Sequence, residues 1–244
     1  MQILILGATG RTGSLVLLEA LRRGHSVTAL VRTPPALDTV TSALPDAQKA
    51  NLTVVRGSPL DTSDVSNAVN TASKANTQLV VISALNSRRT SESPWAPPHP
   101  TDSPPRMMAD SVANVLSALK SQAESAGAFP KPKVIHVSAI GVGVSTANAP
   151  WLLRTLISRT NVKLTYDDHA AVEDELKAAG EGVGWVVLRP ARLTDDVGSS
   201  PRVWPAEKGS IGMLGKCSRG AVAKFALDAA EGSEWDGKDP IILS

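Results

Sequence analysis

The sequence predicts an α/β protein built on one doubly wound parallel sheet, and three observations carry that reading. The 244 residues open on an apolar run, Ile3-Leu4-Ile5-Leu6, followed at once by a glycine-rich turn and an amphipathic helix. Further short runs of Val, Ile and Leu recur along the chain, the pattern of strands buried on both faces of a parallel sheet. Composition agrees, because 42% hydrophobic and 20% charged residues suffice for the core of one domain of this length. No repeat and no linker divides the chain, so residues 1–244 are read as a single domain with a small substrate-side extension.

The first element is the best defined. The turn Gly7-Ala8-Thr9-Gly10-Arg11-Thr12-Gly13 joins the first strand to a helix over Leu15-Val16-Leu17-Leu18-Glu19-Ala20-Leu21. Glycine admits backbone angles closed to other residues and lets the main chain approach a pyrophosphate. Unpaired amides at the helix start, with the positive end of its dipole, then hold phosphate. Strand, glycine turn and helix in this order form the opening unit of a Rossmann-type dinucleotide-binding fold. Gly7, Thr9, Gly10, Arg11, Thr12 and Gly13 are therefore candidate cofactor contacts. The spacing is GxxGxxG, and the Gly-Ala-Thr-Gly-Arg-Thr-Gly wording resembles the atypical short-chain dehydrogenase/reductases. Within them it is most similar to the NmrA-like and biliverdin-reductase-B-like group.

The second strand reads from His25 to Val31, after a helix stop at Gly24, and ends on Arg32. An acidic residue here would take the ribose hydroxyls of NAD, whereas an arginine accommodates the 2′-phosphate of NADP. No Asp or Glu occurs between Arg22 and Ala36, so NADP(H) is the expected cofactor. Arg11 is a second candidate for that phosphate; the alternative is a pair of exposed loop arginines. The third strand, Leu52 to Arg56, leads into Gly57-Ser58-Pro59-Leu60-Asp61. That segment resembles the family's Gly-Asp-x-x-Asp stretch over the adenine, with Ser58 in place of the first aspartate. The resemblance gives Ser58 and Leu60 an adenine-side place, and Asp61 reads as a helix cap.

Leu79 to Leu85 is the fourth strand, and its carboxyl end should lie beside the cofactor. Small Ser83 and Ala84, with Leu85, are expected to leave room for a ribose. Residues 86–106 then turn to Pro, Ser and Arg with Trp95 among them, and no periodicity survives. A loop this long leaving a strand end reads as a lid, with a binding loop or disorder as alternatives. Trp95 is either a closing residue or a surface tryptophan, and Arg88-Arg89 reads as solvated surface.

A helix is expected over Asp110 to Ala126, ending at Gly127, and a fifth strand over Val134 to Ser138. The resemblance places Ser138 beside the nicotinamide; His136 shares its face by the period of two and reads as a hydrogen-bonded core histidine. Trp151 to Arg159 and Tyr166 to Ala179 read as helical pieces. The sixth strand spans Gly184 to Pro190, and Leu-Arg-Pro-Ala-Arg-Leu-Thr resembles the family's Arg-Pro-x-x-Leu segment, which sets Pro190 beside the nicotinamide. A last helix begins near Ser218 and a closing strand covers Pro240 to Leu243.

The usual catalytic dyad of short-chain dehydrogenases is missing. Four residues after the single tyrosine, Tyr166, stands Ala170, and counting from Ser138 the customary positions fall near Trp151 and Thr155. A reductase can dispense with the dyad when the cofactor carries the chemistry and the protein aligns it. His169 is then the candidate proton donor, by its ordinary pKa range, with Ser138 orienting the substrate. His169 and Glu173 share a helix face four residues apart, as a proton relay or as a surface ion pair. Four scattered histidines and one cysteine give no metal-ligand spacing, and no GxSxG elbow occurs.

Function is thereby narrowed to an NADPH-dependent reductase of a small apolar or aromatic acceptor such as a flavin, quinone or polyketide-like carbonyl. The acceptor class follows from the resemblance, with Trp95, Met107, Met108 and Trp151 as pocket or core residues. An NADP-sensing binding protein without turnover, or a non-redox isomerase or cyclase, are the alternatives. A net charge of +2 gives no footprint for nucleic acid, and no apolar run reaches a membrane span. The lone Cys217 suits a reducing, cytoplasmic setting, and the first residues read as a strand and not a signal peptide. A small-molecule substrate and a monomer or homodimer are expected.

Overall fold

The computed structural model describes residues 1–74, 77–126, 130–196 and 200–244. Strands β1 (Gln2–Leu6), β2 (Ser26–Val31), β3 (Leu52–Arg56), β4 (Leu79–Ser83), β5 (Lys133–Val137) and β6 (Gly184–Pro190) run parallel in the order β3-β2-β1-β4-β5-β6. The sheet continues through β10 (Ile241–Leu243), parallel to β6, to β8 (Arg202–Trp204), which is antiparallel to β10. Strand order reverses between β1 and β4, where Leu6 pairs in register with Ser83. Ligands of open α/β sheets bind in the crevice that such a reversal creates.

Both faces of the sheet are covered, which is why its central strands are apolar without alternation. Ile3, Ile5, Val80, Ile82 and Ile135 pack toward helices α1 (Gly13–Arg22) and α8 (Arg219–Glu231). Leu4, Leu6, Val81 and Val134 pack on the other side, toward α4 (Thr62–Ala72), α5 (Met107–Ala126) and α7 (Val162–Ala178). The short helices α2 (Ala36–Thr41) and α3 (Asp46–Lys49) lie between β2 and β3, and α6 (Trp151–Arg159) precedes α7. Two further strands, β7 (Arg192–Thr194) and β9 (Lys216–Ser218), form a separate parallel pair.

Local chemistry sets the helix ends. Gly24, at φ +78°, closes α1 in the left-handed conformation that glycine tolerates. The Asp61 carboxylate accepts from the amides of Ser63 (2.9 Å) and Asp64 (3.0 Å), the capping role expected of it. Helix α5 begins at Met107, three residues before the sequence reading put it. Its cap comes from far away: Asp168 of α7 accepts from Met108 N and Ala109 N, both at 3.0 Å. Gly127, its expected stop, lies outside the described residues. Helix α7 likewise starts earlier than Tyr166, at Val162.

Residues 86–106 are without regular structure yet internally tied. Thr90 N donates to Pro97 O at 3.0 Å, and His99 N to Arg88 O at 2.8 Å. Met107 and Met108 belong to the core beside α4. Cys217 is buried, and burial pushes its thiol up to about 12, so it stays protonated. Among the described residues no helix is long and apolar enough to cross a membrane.

Candidate cofactor and substrate site

The glycine turn differs from residue to residue. A Cβ at Gly7 would lie 2.8 Å from Ala84 O, so this glycine allows the ends of β1 and β4 to approach across the switch point. A Cβ at Gly13 would lie 2.1 Å from Gly7 O, so this one keeps the turn itself closed. At Gly10 the only neighbour is Gly7 O at 3.2 Å, and the position is exposed. At Gly10 the packing of the chain itself therefore leaves room for a side chain, unlike at Gly7 and Gly13. Helix α1 has no side-chain cap and no acidic residue in its first turn. Its amides and dipole are available to an anion, and the cradle fits the pyrophosphate of a dinucleotide. Exposed Thr9 and half-buried Thr12 flank it.

Arg32 ends β2 as expected, but it does not stand alone. Asp102, from the long loop, accepts from Arg32 at 2.9 Å and from Arg88 at 2.7 Å. The Arg32 hydrogen bond chiefly holds the Asp102 carboxyl below its usual range. The neighbouring sequence offers no carboxylate here, as read, and the fold brings one from seventy residues away. Arg88 is likewise an ion-pair partner and not merely solvated. Two guanidiniums around one carboxylate still leave a net positive charge. Arg11 is not part of this group: it pairs with Asp195, which Arg219 also holds at 2.6 Å. Ser58 is used within its own turn, its amide donating to Asp64 at 2.8 Å and its hydroxyl accepting from Leu60 N at 3.3 Å. Leu60 is exposed.

At the carboxyl ends of β4, β5 and β6 lies a cavity of about 590 Å³. Of the residues singled out from sequence, Thr12, Ala84, Leu85, Ser138, His169 and Pro190 line it. Ser83 does not: it is wholly buried and its hydroxyl has no partner, so the room at this strand end is left by Ala84. Apolar side chains of α6, Leu152, Leu153 and Leu156, form one wall, with Leu193 and Ile211 opposite. Trp95, 67% exposed, and Trp151 are not among the lining residues. The aromatic character expected of the pocket is replaced by leucine and isoleucine.

Ser138, Tyr166 and His169 are among the polar side chains that line this largely apolar space, with Thr12, Asn86, Thr165 and Arg192. The Ser138 hydroxyl is buried with no protein partner. Tyr166 has no lysine four residues on, yet it sits one helical turn before His169 on the same face of α7. Burial pushes its phenol up to about 12. His169 is 4% exposed, and its Nδ1 lies 2.9 Å from Nε2 of His136, the hydrogen-bonded core histidine the strand period indicated.

Two readings of His169 are corrected. Burial lowers its pKa to about 4, so it is neutral at pH 7 and not an acid in the ordinary imidazole range. Nor is it half of a surface ion pair or relay with Glu173. That carboxylate is buried and accepts from Arg189 at 2.7 Å, and Arg189 also meets Asp239 at 3.0 Å. The Glu173–Arg189 bridge ties α7 to β6 behind the cavity. Among the described residues no three His, Cys, Asp or Glu side chains gather as a metal site.

Known proteins share this architecture. Residues 7–232 match the family described as NAD(P)H-binding, and the match begins on the first glycine of the cradle. A reductase from Aspergillus terreus, pytE, is 28% identical over 207 residues, covering 79% of this chain and 76% of its own. ChuY, an anaerobillin reductase from Escherichia coli O157:H7, superimposes with a TM-score of 0.71 at 18% identity, covering 100% of this chain and 97% of its own. The oxidoreductase ylbE from Lactococcus lactis follows at 0.69 and 16%, covering 100% and 91%. With the uncapped helix and glycine cradle in place and the match running through nearly the whole sheet, the chain belongs to the NAD(P)H-binding family, on the fold of the atypical short-chain dehydrogenase/reductases.

Proposed function

We propose that the protein is an NADPH-dependent reductase of a small, largely apolar or aromatic acceptor. One observation carries the reading: a largely apolar cavity, with Ser138, Tyr166 and His169 in its lining, opens at the strand ends, next to the glycine cradle. Its volume suits one small organic molecule. The cofactor, when bound, supplies a hydride. The amides at the start of α1 would hold its pyrophosphate, Arg32 its 2′-phosphate, and exposed Leu60 would face the adenine. Leu152, Leu153 and Leu156 form an apolar wall against which the acceptor packs. Ser138, the Tyr166 phenol and neutral His169 donate hydrogen bonds to an oxygen that gains negative charge, and the proton comes from solvent. The reductase activities named for pytE and ChuY fit this scheme. We read the 86–106 loop, tied by Asp102 to Arg32, as a lid.

The test is consumption of NADPH against a panel of flavins, quinones and aromatic ketones. At least one class should be reduced, and His169→Ala should lower kcat on it about a hundredfold, as loss of an oxyanion donor does, with cofactor affinity unchanged. Tight NADPH binding with no turnover on any class would instead mark a sensor of the NADP state.

Cofactor choice is a separate expectation. Charge-assisted hydrogen bonds contribute about 1.5–3 kcal/mol each, and about 1.4 kcal/mol makes a tenfold ratio. NADPH should therefore bind at least about tenfold tighter than NADH, and Arg32→Ala should remove most of that ratio by weakening NADPH alone. Equal affinities in the parent protein would refute it.

A further inference from the structure

The polar column behind the cavity contains a group that the scheme above does not use. His136 is fully buried on β5, on the sheet face that packs against α5 and α7, and touches no solvent. Its Nε2 is 2.9 Å from His169 Nδ1, and the rings lie 5.1 Å apart between centroids. Its other nitrogen, Nδ1, is buried with no partner, as is the hydroxyl of Ser83, the residue in register with it on β4. Desolvation keeps both imidazoles neutral, so the pair holds one ring proton on each.

The location of those two protons follows from which nitrogen is orphaned. A buried N–H without an acceptor is rare and costly, whereas a buried acceptor left unpaired is tolerated more readily. His136 therefore carries its proton on Nε2, within the 2.9 Å bond, and leaves bare Nδ1 as the orphan. His169 must accept at Nδ1, so its own proton resides on Nε2. The second nitrogen of a neutral imidazole is set by the bond its first one makes.

We infer that His136 is a positioning residue for the reaction: it locks His169 as the Nε2–H tautomer, so that the cavity-lining imidazole presents a donor to the acceptor oxygen. This rests on the reductase reading of the cavity. A neutral imidazole keeps its proton through the step, while hydride enters the acceptor carbon and the resulting oxyanion is held by the N–H and then protonated by water. Without His136, His169 is free to place its proton on either nitrogen and to rotate, and the donor is present only part of the time. The arrangement also explains a histidine at a strand position where the preceding pair on that face, Val134 and Val81, is apolar.

Nitrogen-15 NMR of the histidine rings in the parent protein should show His169 bare at Nδ1 and protonated at Nε2; the opposite tautomer would overturn the inference. His136→Leu should lower kcat about tenfold, less than loss of His169 itself, with NADPH affinity unchanged and the His169 signal shifted toward a tautomer mixture. His136→Gln, whose amide N–H replaces the Nε2 donor, should recover most of the rate. Parental kcat in His136→Leu, or a His136→Gln protein as slow as His136→Leu, would show that His136 serves only the fold. A parental rate in His169→Ala would bring down the reductase role of His169 instead, a separable result because the tautomer measurement needs no turnover.

Discussion

Gly10→Val is expected to abolish binding of NADPH and NADH alike while leaving the sheet folded. The separation follows from the three glycines. A side chain at Gly13 would collide with Gly7 O at 2.1 Å, and one at Gly7 with Ala84 O, so those changes break the turn. Gly10 has only Gly7 O at 3.2 Å and faces outward, where a branched side chain fills the pyrophosphate path. Losing two amide contacts to a charged phosphate at about 1.5–3 kcal/mol each weakens binding roughly a hundredfold to ten-thousandfold. Fluorescence titration of both cofactors, with a thermal melt alongside, checks it. An unchanged affinity in the variant would remove the basis for placing a dinucleotide on this turn.

Glu173→Ala should be the most destabilising single change near the cavity. Arg189 is 1% exposed, and Glu173 Oε2 is its closest carboxylate, at 2.7 Å. Removing one partner of a buried pair costs about 3–5 kcal/mol, because the remaining charge stays desolvated. Asp239, at 3.0 Å and partly exposed, offsets some of that. For a chain of this size the melting temperature should fall by about 6–20 °C. The double variant Glu173→Met, Arg189→Met should lose less than Glu173→Ala, since no charge is left behind. A melt within about 2 °C of the parent in Glu173→Ala would show that water reaches Arg189 in solution.

The parts legible from sequence were those in which neighbours along the chain determine the outcome. The glycine turn, the capping by Asp61 and the central strands all follow from runs a few residues long. What escaped depends on groups brought together by folding. The start of α5 is fixed by Asp168 from α7, the company of Arg32 by Asp102, and the inner contact of His169 by His136. The surface reading of His169 and Glu173 failed although their shared face was right. That face also carries Val172 and Leu176, both buried, and this apolar stripe at helical spacing was the available sign that it packs inward. Tyr166 lies on the same stretch of α7 and was readable by the same spacing. The three-residue strands β7, β8 and β9 are too short to carry a period of two.

The place of β10 bears on how the chain comes off the ribosome. The six strands from β3 to β6 in the sheet find their partners among strands already synthesised, so the half that cradles the cofactor can close during translation. Strand β8 emerges before its sheet neighbour β10 exists, and among the described residues β10 is the strand that joins it to β6. Until residues 239–243 arrive, β6 is an open edge, and Arg189 lacks both Asp239 and the Pro240 carbonyl that accepts its amide at 2.9 Å. Open edges invite pairing with other nascent chains. The order of synthesis thus makes the β6 side of this sheet later to assemble than the side that begins at β3, and more dependent on shelter while it waits.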